Sequence, residues 1–219
     1  KPLGFVAVAA GSGMAKILES LGVDVVVSGG QTMNPSTKDL LDAVERVNAD
    51  AVIILPNNSN IIMAAQSAAG LSEVPCAVVP TKSVPQAFSA LVSADETASL
   101  EENVENMTSA FADTKTGEVT TAIKDSKDAH DNPIHNGDVI GIADGSIEAV
   151  GSSVEDVVMS LLDTMEAEDA DTLTLLAGED FSDEQLDALV ERIESRFDQL
   201  EGDAHRGEQP LYPIVFSVV

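Results

Sequence analysis

The sequence predicts an α/β protein of two lobes, a parallel-sheet β/α lobe followed by a mixed-sheet α/β lobe. Up to about residue 95, short continuous apolar runs alternate with stretches of helical periodicity, which is typical of parallel strands buried on both faces. Beyond residue 113, a strand-like run alternates apolar and polar residues, and Asp144-Gly145 joins two further runs as a hairpin turn. We therefore expect two domains, 1–112 and 113–219.

The first lobe is predicted to contain four strands, over residues 5–9, 23–27, 52–55 and 77–79. Helices are expected over about 14–21, 36–47 and 60–69, followed by an acidic helix over 100–111 that leads to the second lobe. Ser36 and Asp39 have the spacing of a capping box, which starts the second helix. The third helix is rich in Ile, Met and Ala, so we expect it to lie against the sheet almost all round.

The second lobe is predicted to begin with a half-exposed strand over 117–123 and a hairpin over 139–150. A helix over about 154–165 and a strand over 172–176 follow. Ser182 begins a further amphipathic helix that ends near Phe197. The chain ends on a strand over 211–219, where Pro213 indicates an edge or a bulge.

The charge of the chain is its most extreme bulk property. Its 38 acidic residues against 11 Lys and Arg give a net charge of −27, which argues against nucleic acid and anionic membrane surfaces as partners. A halophilic origin and an ordinary solvated acidic surface both fit this number. The chain shows no signal peptide or membrane-spanning run, and its single Cys76 forms no internal disulfide, so we expect a cytoplasmic protein. The absence of an initiator Met suggests a segment of a longer polypeptide.

Polar loops follow each strand of the first lobe, and they define the candidate site. Loops that leave the carboxyl ends of parallel strands line one crevice, where open α/β folds bind their ligands. Lys82 is one of few cations, and we expect it either to anchor an anionic ligand or an acidic partner, or to be an ordinary surface lysine. The residues that we predict to bind a partner or ligand are Ser12, Gln31, Thr32, Asn34, Ser36, Asn57, Asn58, Thr81, Lys82 and Gln86.

Familiar catalytic and cofactor patterns are absent from the sequence. Neither a P-loop nor a dinucleotide-binding glycine pattern occurs, so we predict no catalytic residue and no metal or cofactor in this domain. His130 and His135 lie in an Asp-rich segment where Pro133 favours an exposed turn over a metal site. Glu179-Asp180 at a strand end has the chemistry of a general acid and base, but the spacing of Ser182 and Gln185 favours a helix cap there. We expect Cys76 to be a small buried residue of a strand rather than a nucleophile.

Five motifs in order resemble one family. They are SGGQTMNPST over 28–37, ILPNN over 54–58, VPTKSVPQ over 79–86, KTGEV over 115–119 and GEQPLYP over 207–213. Nearly the whole chain resembles the carboxyl-terminal region of the dihydroxyacetone-kinase-like proteins that form the large subunit of bacterial fatty acid kinase. Glu208 stands where this family usually has a second glycine, a change that the turn tolerates if the backbone φ is negative.

The resemblance implies a DegV-like fold and a division of labour. ATP and magnesium are implied to bind an amino-terminal kinase domain of the same polypeptide, so this chain alone is not expected to be an enzyme. Its partners would be that domain and the DegV-family fatty-acid-binding subunit, whose acyl phosphate product feeds phospholipid synthesis. Full-length members of the family are also expected to dimerise. Where acid binders of this fold carry small hydroxyl residues after a strand, this chain has Gly29-Gly30-Gln31-Thr32.

Three functions therefore compete at the level of sequence. The first is a protein-docking domain of a fatty acid kinase, and the second is a domain that senses a fatty acid or a phosphorylated metabolite in the crevice. The third is an independent enzyme such as a kinase or a phosphatase, against which the missing motifs argue. Docking is the function that we favour.

Overall fold

The computed structural model, which describes residues 1–30 and 33–219, divides into unit 1, Lys1–Asp113, and unit 2, Thr114–Val219. Unit 1 contains a parallel sheet and unit 2 a mixed sheet, so the predicted α/β class and the two kinds of sheet are confirmed. No helix within these described residues has the length and apolar content needed to cross a bilayer.

Unit 1 alternates strands and helices along the chain. Its parallel sheet has the strand order β2-β1-β3-β4. The elements are β1 (Gly4–Ala9), α1 (Ser12–Ser20), β2 (Val25–Ser28), α2 (Thr37–Val47), β3 (Val52–Leu55), α3 (Ile62–Leu71), β4 (Cys76–Val78), α4 (Val84–Val92) and α5 (Leu100–Ala110).

Helices cover both faces of this sheet. The residues of β1 and β3 that point to one face, such as Val6 and Ile54, pack with Leu40 of α2 and Ala65 of α3 in one core cluster. The helix α1 contacts α4, and α5 contacts α4 and β3, so these three helices cover the opposite face. Since the chain leaves β1 and β3 toward opposite faces, the carboxyl ends of these neighbouring strands form the topological switch point, where such folds bind ligands.

Unit 2 is built on a sheet of order β11-β10-β12-β5-β8-β9, in which β10 and β11 are parallel and the other pairs antiparallel. A separate hairpin of β6 and β7 lies in the Asp-rich segment. The elements are β5 (Lys115–Thr121), β6 (Ser126–Lys127), β7 (Pro133–Ile134), β8 (Val139–Ala143), β9 (Ser146–Gly151), α6 (Val154–Thr164), a 3₁₀ turn (Ala167–Asp169), β10 (Thr172–Ala177), α7 (Asp183–Arg196), β11 (Glu201–Arg206) and β12 (Ile214–Val218).

The core of unit 2 lies between one face of its sheet and the helices α6 and α7. The fully buried ring of Phe216 lies on Gly117 of β5, where an added Cβ would approach the ring to 2.2 Å. Glycine at 117 is therefore required by packing. The predicted Asp144-Gly145 turn is confirmed, since both residues have positive φ values, 46° and 89°, and join β8 to β9.

Several expectations about local structure were wrong. The helix α3 buries only Ala65 and Ala68 and leaves Met63 79% and Leu71 64% exposed, so it does not lie against the sheet all round. Cys76 lies on the edge strand β4 and is only partly buried, although burial still raises its pKa to about 11, which disfavours the nucleophilic thiolate.

The helix α4 and the strand β11 were missed, for different reasons. Pro85 in the first turn of α4 made this apolar segment read as part of a loop, although proline is compatible with the start of a helix. The strand β11 has the polar sequence EGDAHR and exists because its backbone pairs with β10 at the edge of the sheet.

Candidate functional site

Asn57 and Thr81 form a buried hydrogen-bond network at the predicted crevice of unit 1. Asn57 follows β3, Thr81 follows β4, and they are only 9% and 0% exposed. The side-chain Nδ2 of Asn57 donates a hydrogen bond to the carbonyl of Val8 in β1 at 2.8 Å. The hydroxyl of Thr81 donates to Oδ1 of Asn57 at 2.7 Å and accepts the backbone N–H of Asn57 at 3.1 Å. One buried network therefore joins the carboxyl ends of three strands.

The backbone conformation at position 57 explains why asparagine occupies it. The backbone of Asn57 has a φ of 59°, a left-handed conformation that asparagine adopts more readily than most side chains. Its amide then lies between the carboxyl ends of β1 and β3, which is the switch point of the sheet. Because these polar groups are buried and paired with one another, a ligand could use them only by breaking the network.

Three hydrogen-bonding residues near the crevice lie around the start of α4: Lys82, Ser83 and Gln86. The hydroxyl of Ser83 caps the helix by accepting the backbone N–H of Gln86 at 3.3 Å. The side-chain oxygen of Gln86 in turn accepts the backbone N–H of Lys82 at 2.7 Å. The side chain of Lys82 is exposed, and no ion pair involving it occurs within residues 1–30 and 33–219. Its amino group is thus available to a partner.

The other predicted site residues do not converge on one point. Ser36 is the N-cap of α2 and forms the predicted capping box with Asp39. Asn58 accepts the backbone N–H of Asn60 at 2.9 Å, within its own loop. Ser12 and Asn34 are exposed, whereas Gln31 and Thr32 lie outside the described residues.

The exposed side of α3 was missed as a candidate site. Met63, Gln66, Ser67, Gly70 and Leu71 are all exposed and share one side of the helix, which we call the α3 face. The sequence does not indicate this exposure, because a segment such as 51–72, which has no Asp, Glu, Lys or Arg, ordinarily indicates a buried helix.

Unit 2 has an open, acidic recess of about 360 Å³ beside the start of α7. Arg206 donates to the carbonyls of Gly178 at 2.7 Å and Phe181 at 2.5 Å and to the carboxylate of Glu208 at 2.5 Å. Its hydrogen bond to Glu208 raises the pKa of Arg206 above its ordinary value. The guanidinium is therefore used to hold the loop after β10. We call this surface the Arg206 recess; it is lined by Glu179, Asp180, Phe181, Ser182, Asp183, Arg206 and Glu208.

The predicted helix cap beside this recess is confirmed. The hydroxyl of Ser182 accepts the backbone N–H of Gln185 at 3.1 Å, and the side-chain oxygen of Gln185 accepts the backbone N–H of Ser182 at 2.9 Å. Glu179 and Asp180 are exposed. Within the described part of the chain, no group of three or more His, Cys, Asp and Glu residues is arranged to hold a metal ion.

The closing motif over 207–213 fastens the end of β10. The buried amide of Gln209 donates to the carbonyls of Leu176 at 2.9 Å and Tyr212 at 3.1 Å. Glutamate in place of the family's glycine at position 208 would be free of strain if its φ were negative. The φ of Glu208 is 58°, so this condition is not met. A non-glycine residue in this region is strained by about 1–2 kcal/mol, which the ion pair with Arg206 partly offsets.

Glu118, on the central strand β5, is a titratable residue that sequence reasoning did not single out. Burial, and then the negative charge of Asp144, raise the pKa of its carboxyl group. Burial, and then the charge of Glu118, raise the pKa of Tyr212 as well. The negative charge of Glu118 therefore disfavours the ionised form of Tyr212.

Comparison with known proteins gives consistent results. A family model for the C-terminal region of FakA-like proteins of fatty acid kinase matches residues 4–219. Protein YloV of Bacillus subtilis is 43% identical over 218 residues, a match that covers 99% of this chain and 39% of that protein. An uncharacterized protein of Staphylococcus haemolyticus is 39% identical over 213 residues, covering 97% and 38%. The chain therefore spans about two fifths of the length of these curated relatives.

Solved structures show the same fold at low identity. The DegV family protein Cg2579 of Corynebacterium glutamicum has a TM-score of 0.69 at 13% identity, with coverage of 99% of this chain and 97% of that one. The fatty acid kinase B3 protein of Streptococcus pneumoniae, loaded with linoleic acid, has a TM-score of 0.64 at 14% identity, covering 100% and 99%. The dihydroxyacetone kinase of C. freundii, in complex with AMP-PNP and Mg²⁺, has a TM-score of 0.64 at 16% identity, covering 100% and 48%. The fold is thus DegV-like.

Proposed function

We propose that this chain, which belongs to the FakA-like C-terminal family of fatty acid kinase, is a docking domain for a DegV-family fatty-acid-binding subunit. In this proposal the docked subunit presents its acyl carboxylate to ATP held by a separate kinase domain of the same polypeptide. This chain contributes no catalytic residue and no ATP or magnesium site of its own. The acyl phosphate formed would then serve phospholipid synthesis.

The network of Asn57 and Thr81 is the observation on which the proposal rests. An α/β domain that recognises a small ligand needs accessible polar groups at the switch point of its sheet. In unit 1 the side chains of Asn57 and Thr81 at this point are buried and bonded to one another, so these two residues serve the fold rather than a ligand. The surface available for recognition is then the outside of unit 1, which suits contact with a protein.

A domain that senses a fatty acid is the alternative. The solved structures of similar fold include proteins described as binding fatty acids, such as the B3 protein loaded with linoleic acid. Ligand pockets usually enclose about 300–1,000 Å³. The apolar cavity of unit 2 between α7, β10 and β11 encloses about 30 Å³ and is too small for an acyl chain.

Calorimetric titration of this chain with the fatty-acid-binding subunit of the same organism, loaded and unloaded, tests the proposal. We expect binding at micromolar affinity or tighter at low salt, with no ATP turnover by the isolated chain. Absence of binding at low salt would overturn the docking function. An acyl chain found by mass spectrometry in the purified chain would favour the sensing function instead.

A further inference from the structure

The helix α3 exposes five residues on one uncharged side, whereas α4, which also carries no charged residue, has only Val92 exposed. Met63 is 79% exposed and Leu71 is 64% exposed, and the exposed residues between them are Gln66, Ser67 and Gly70. These five positions lie within about 140° of the helix circumference, since successive residues turn by about 100°. The α3 face is therefore one continuous stripe about 12 Å long.

Its neighbour α2 shows what an ordinary surface helix looks like in this protein. The exposed side of α2 carries charged residues, including the ion pair of Lys38 with Asp42 at 2.9 Å, while its opposite side packs on the sheet. Single exposed apolar residues are common on protein surfaces and need no explanation. Two of them on one uncharged helix face, in a chain of which 22% is charged, are a different observation.

Gly70 adds a second feature to the α3 face. Glycine within a helix is disfavoured relative to alanine. A Cβ at position 70 would meet no atom within 4 Å, so nothing in this chain's own packing requires glycine there. A missing side chain at an exposed helix position allows another backbone to approach closely.

Electrostatics decides which kind of partner can cover this surface. Two copies of a chain with a net charge of −27 repel each other, and an anionic lipid surface is repelled as well. A different protein whose contact surface is apolar at its centre and basic at its rim is attracted by the acidic residues outside the α3 face and buries Met63 and Leu71 at the centre.

We infer that the α3 face is the surface on which the fatty-acid-binding subunit docks, through an apolar patch bordered by basic side chains. This inference rests on the proposed docking function and places the contact on the outside of α3 rather than in the loops around Asn57 and Lys82. Methionine suits such a contact because its flexible thioether adapts to the partner's surface.

Charge placed on the α3 face tests the inference. The variant Met63→Glu/Leu71→Glu should lose affinity for the fatty-acid-binding subunit by about tenfold or more relative to the unchanged chain, measured by calorimetry. The double variant Val92→Glu/Ile123→Glu, on α4 and in unit 2, is the matched control, because these side chains are 78% and 87% exposed and the same two charges are added. This control should keep the affinity within about twofold, since charge at exposed sites outside an interface contributes little.

The outcomes separate this inference from the proposed function. Binding by the unchanged chain that the α3 variant retains would overturn the inference and leave docking intact. No binding by the unchanged chain at low salt would overturn the docking function and the inference with it. Sedimentation in which the unchanged chain is a dimer and the α3 variant is a monomer would make the α3 face a contact between copies of this chain. That result would also overturn the inference. Should the glutamate variant not fold, Met63→Gln/Leu71→Gln replaces it, with an expected loss of affinity in the same direction.

Discussion

Unit 1 and unit 2 share the α/β class but use polar residues in opposite ways. Unit 2 contains 25 of the 38 acidic residues and six of the 11 Lys and Arg, whereas residues 51–72 of unit 1 contain no charge at all. The hydrogen-bond network around Asn57 in unit 1 is neutral and buried. The network around Arg206 in unit 2 is charged and partly exposed. In the proposed docking function, unit 1 provides the specific contacts, and the negative charge of unit 2 attracts a basic partner.

The largest effect is expected from Thr81→Val, which tests the buried corner. Valine keeps the volume but leaves the backbone N–H and Oδ1 of Asn57 without a partner, so we expect a loss of about 2–3 kcal/mol in the free energy of unfolding. Urea denaturation measures it. Lys82→Ala, next to it but exposed, should change stability by less than about 0.5 kcal/mol. Equal stability of the threonine and valine proteins would show that water reaches Asn57.

The corresponding variant in unit 2 is Arg206→Met, which keeps the apolar stem of the side chain. Two carbonyls and two carboxylates lose a donor, but water can enter the open recess, so we expect a smaller loss of about 1–2 kcal/mol. Because part of it is ionic, this loss should shrink in about 1 M salt, whereas that of Thr81→Val should not. An identical salt response of the two variants would contradict the comparison. Arg46→Met on α2 is the exposed control.

Variants of Glu208 separate the effect of backbone strain on stability from the effect of the ion pair with Arg206. Glu208→Gln removes the ion pair with Arg206 and keeps the positive φ, whereas Glu208→Gly removes both the ion pair and the strain. We therefore expect the glycine variant to be more stable than the glutamine variant by about 1 kcal/mol in urea denaturation. A glycine variant that is the less stable of the two would show that residue 208 is not strained.

The smallest effect is expected from the half-buried Glu118. Since burial raises the pKa of its folded state, the charged carboxylate opposes folding near neutral pH. Glu118→Gln should therefore be more stable than the unchanged chain at about pH 7, and this advantage should diminish as the pH falls through the folded pKa toward the unfolded one. Unfolding free energies at several pH values between about 7 and 4 measure it. A constant difference across this range would refute it.

Asp144→Asn provides the control for Glu118. The charge of Asp144 is the second cause of the raised pKa, after burial. Its removal should reduce the pH dependence without abolishing it. Asparagine also tolerates the positive φ of this turn position, so the hairpin should remain intact.

Local chemistry made part of the fold predictable. Ser36 with Asp39 and Ser182 with Gln185 are helix caps whose partners lie three residues away, and the Asp144-Gly145 turn needs only its own backbone. The four parallel strands were predictable for a related reason, because strands buried on both faces need continuous apolar runs. The polar strand β11 has no such local signal and depends on pairing with β10.

The candidate site was only partly predictable. That Asn57 and Thr81 lie at the same edge of the sheet follows from their positions after β3 and β4. That they bond to each other and fill the switch point follows from distances that the spacing along the chain does not contain. The exposure of the α3 face was not predictable, because an apolar helix sequence ordinarily indicates burial.

The sequence by itself determined the α/β class, the two kinds of sheet, the caps and the hairpin turn, because these depend on periodicity and on contacts between near neighbours in the chain. Only the tertiary structure decided which polar residues are buried and which apolar ones are exposed. Asn57 and Thr81 became structural because a third strand, through Val8, completes their hydrogen bonds. Met63 and Leu71 stayed exposed because no other described residue of the folded chain covers them.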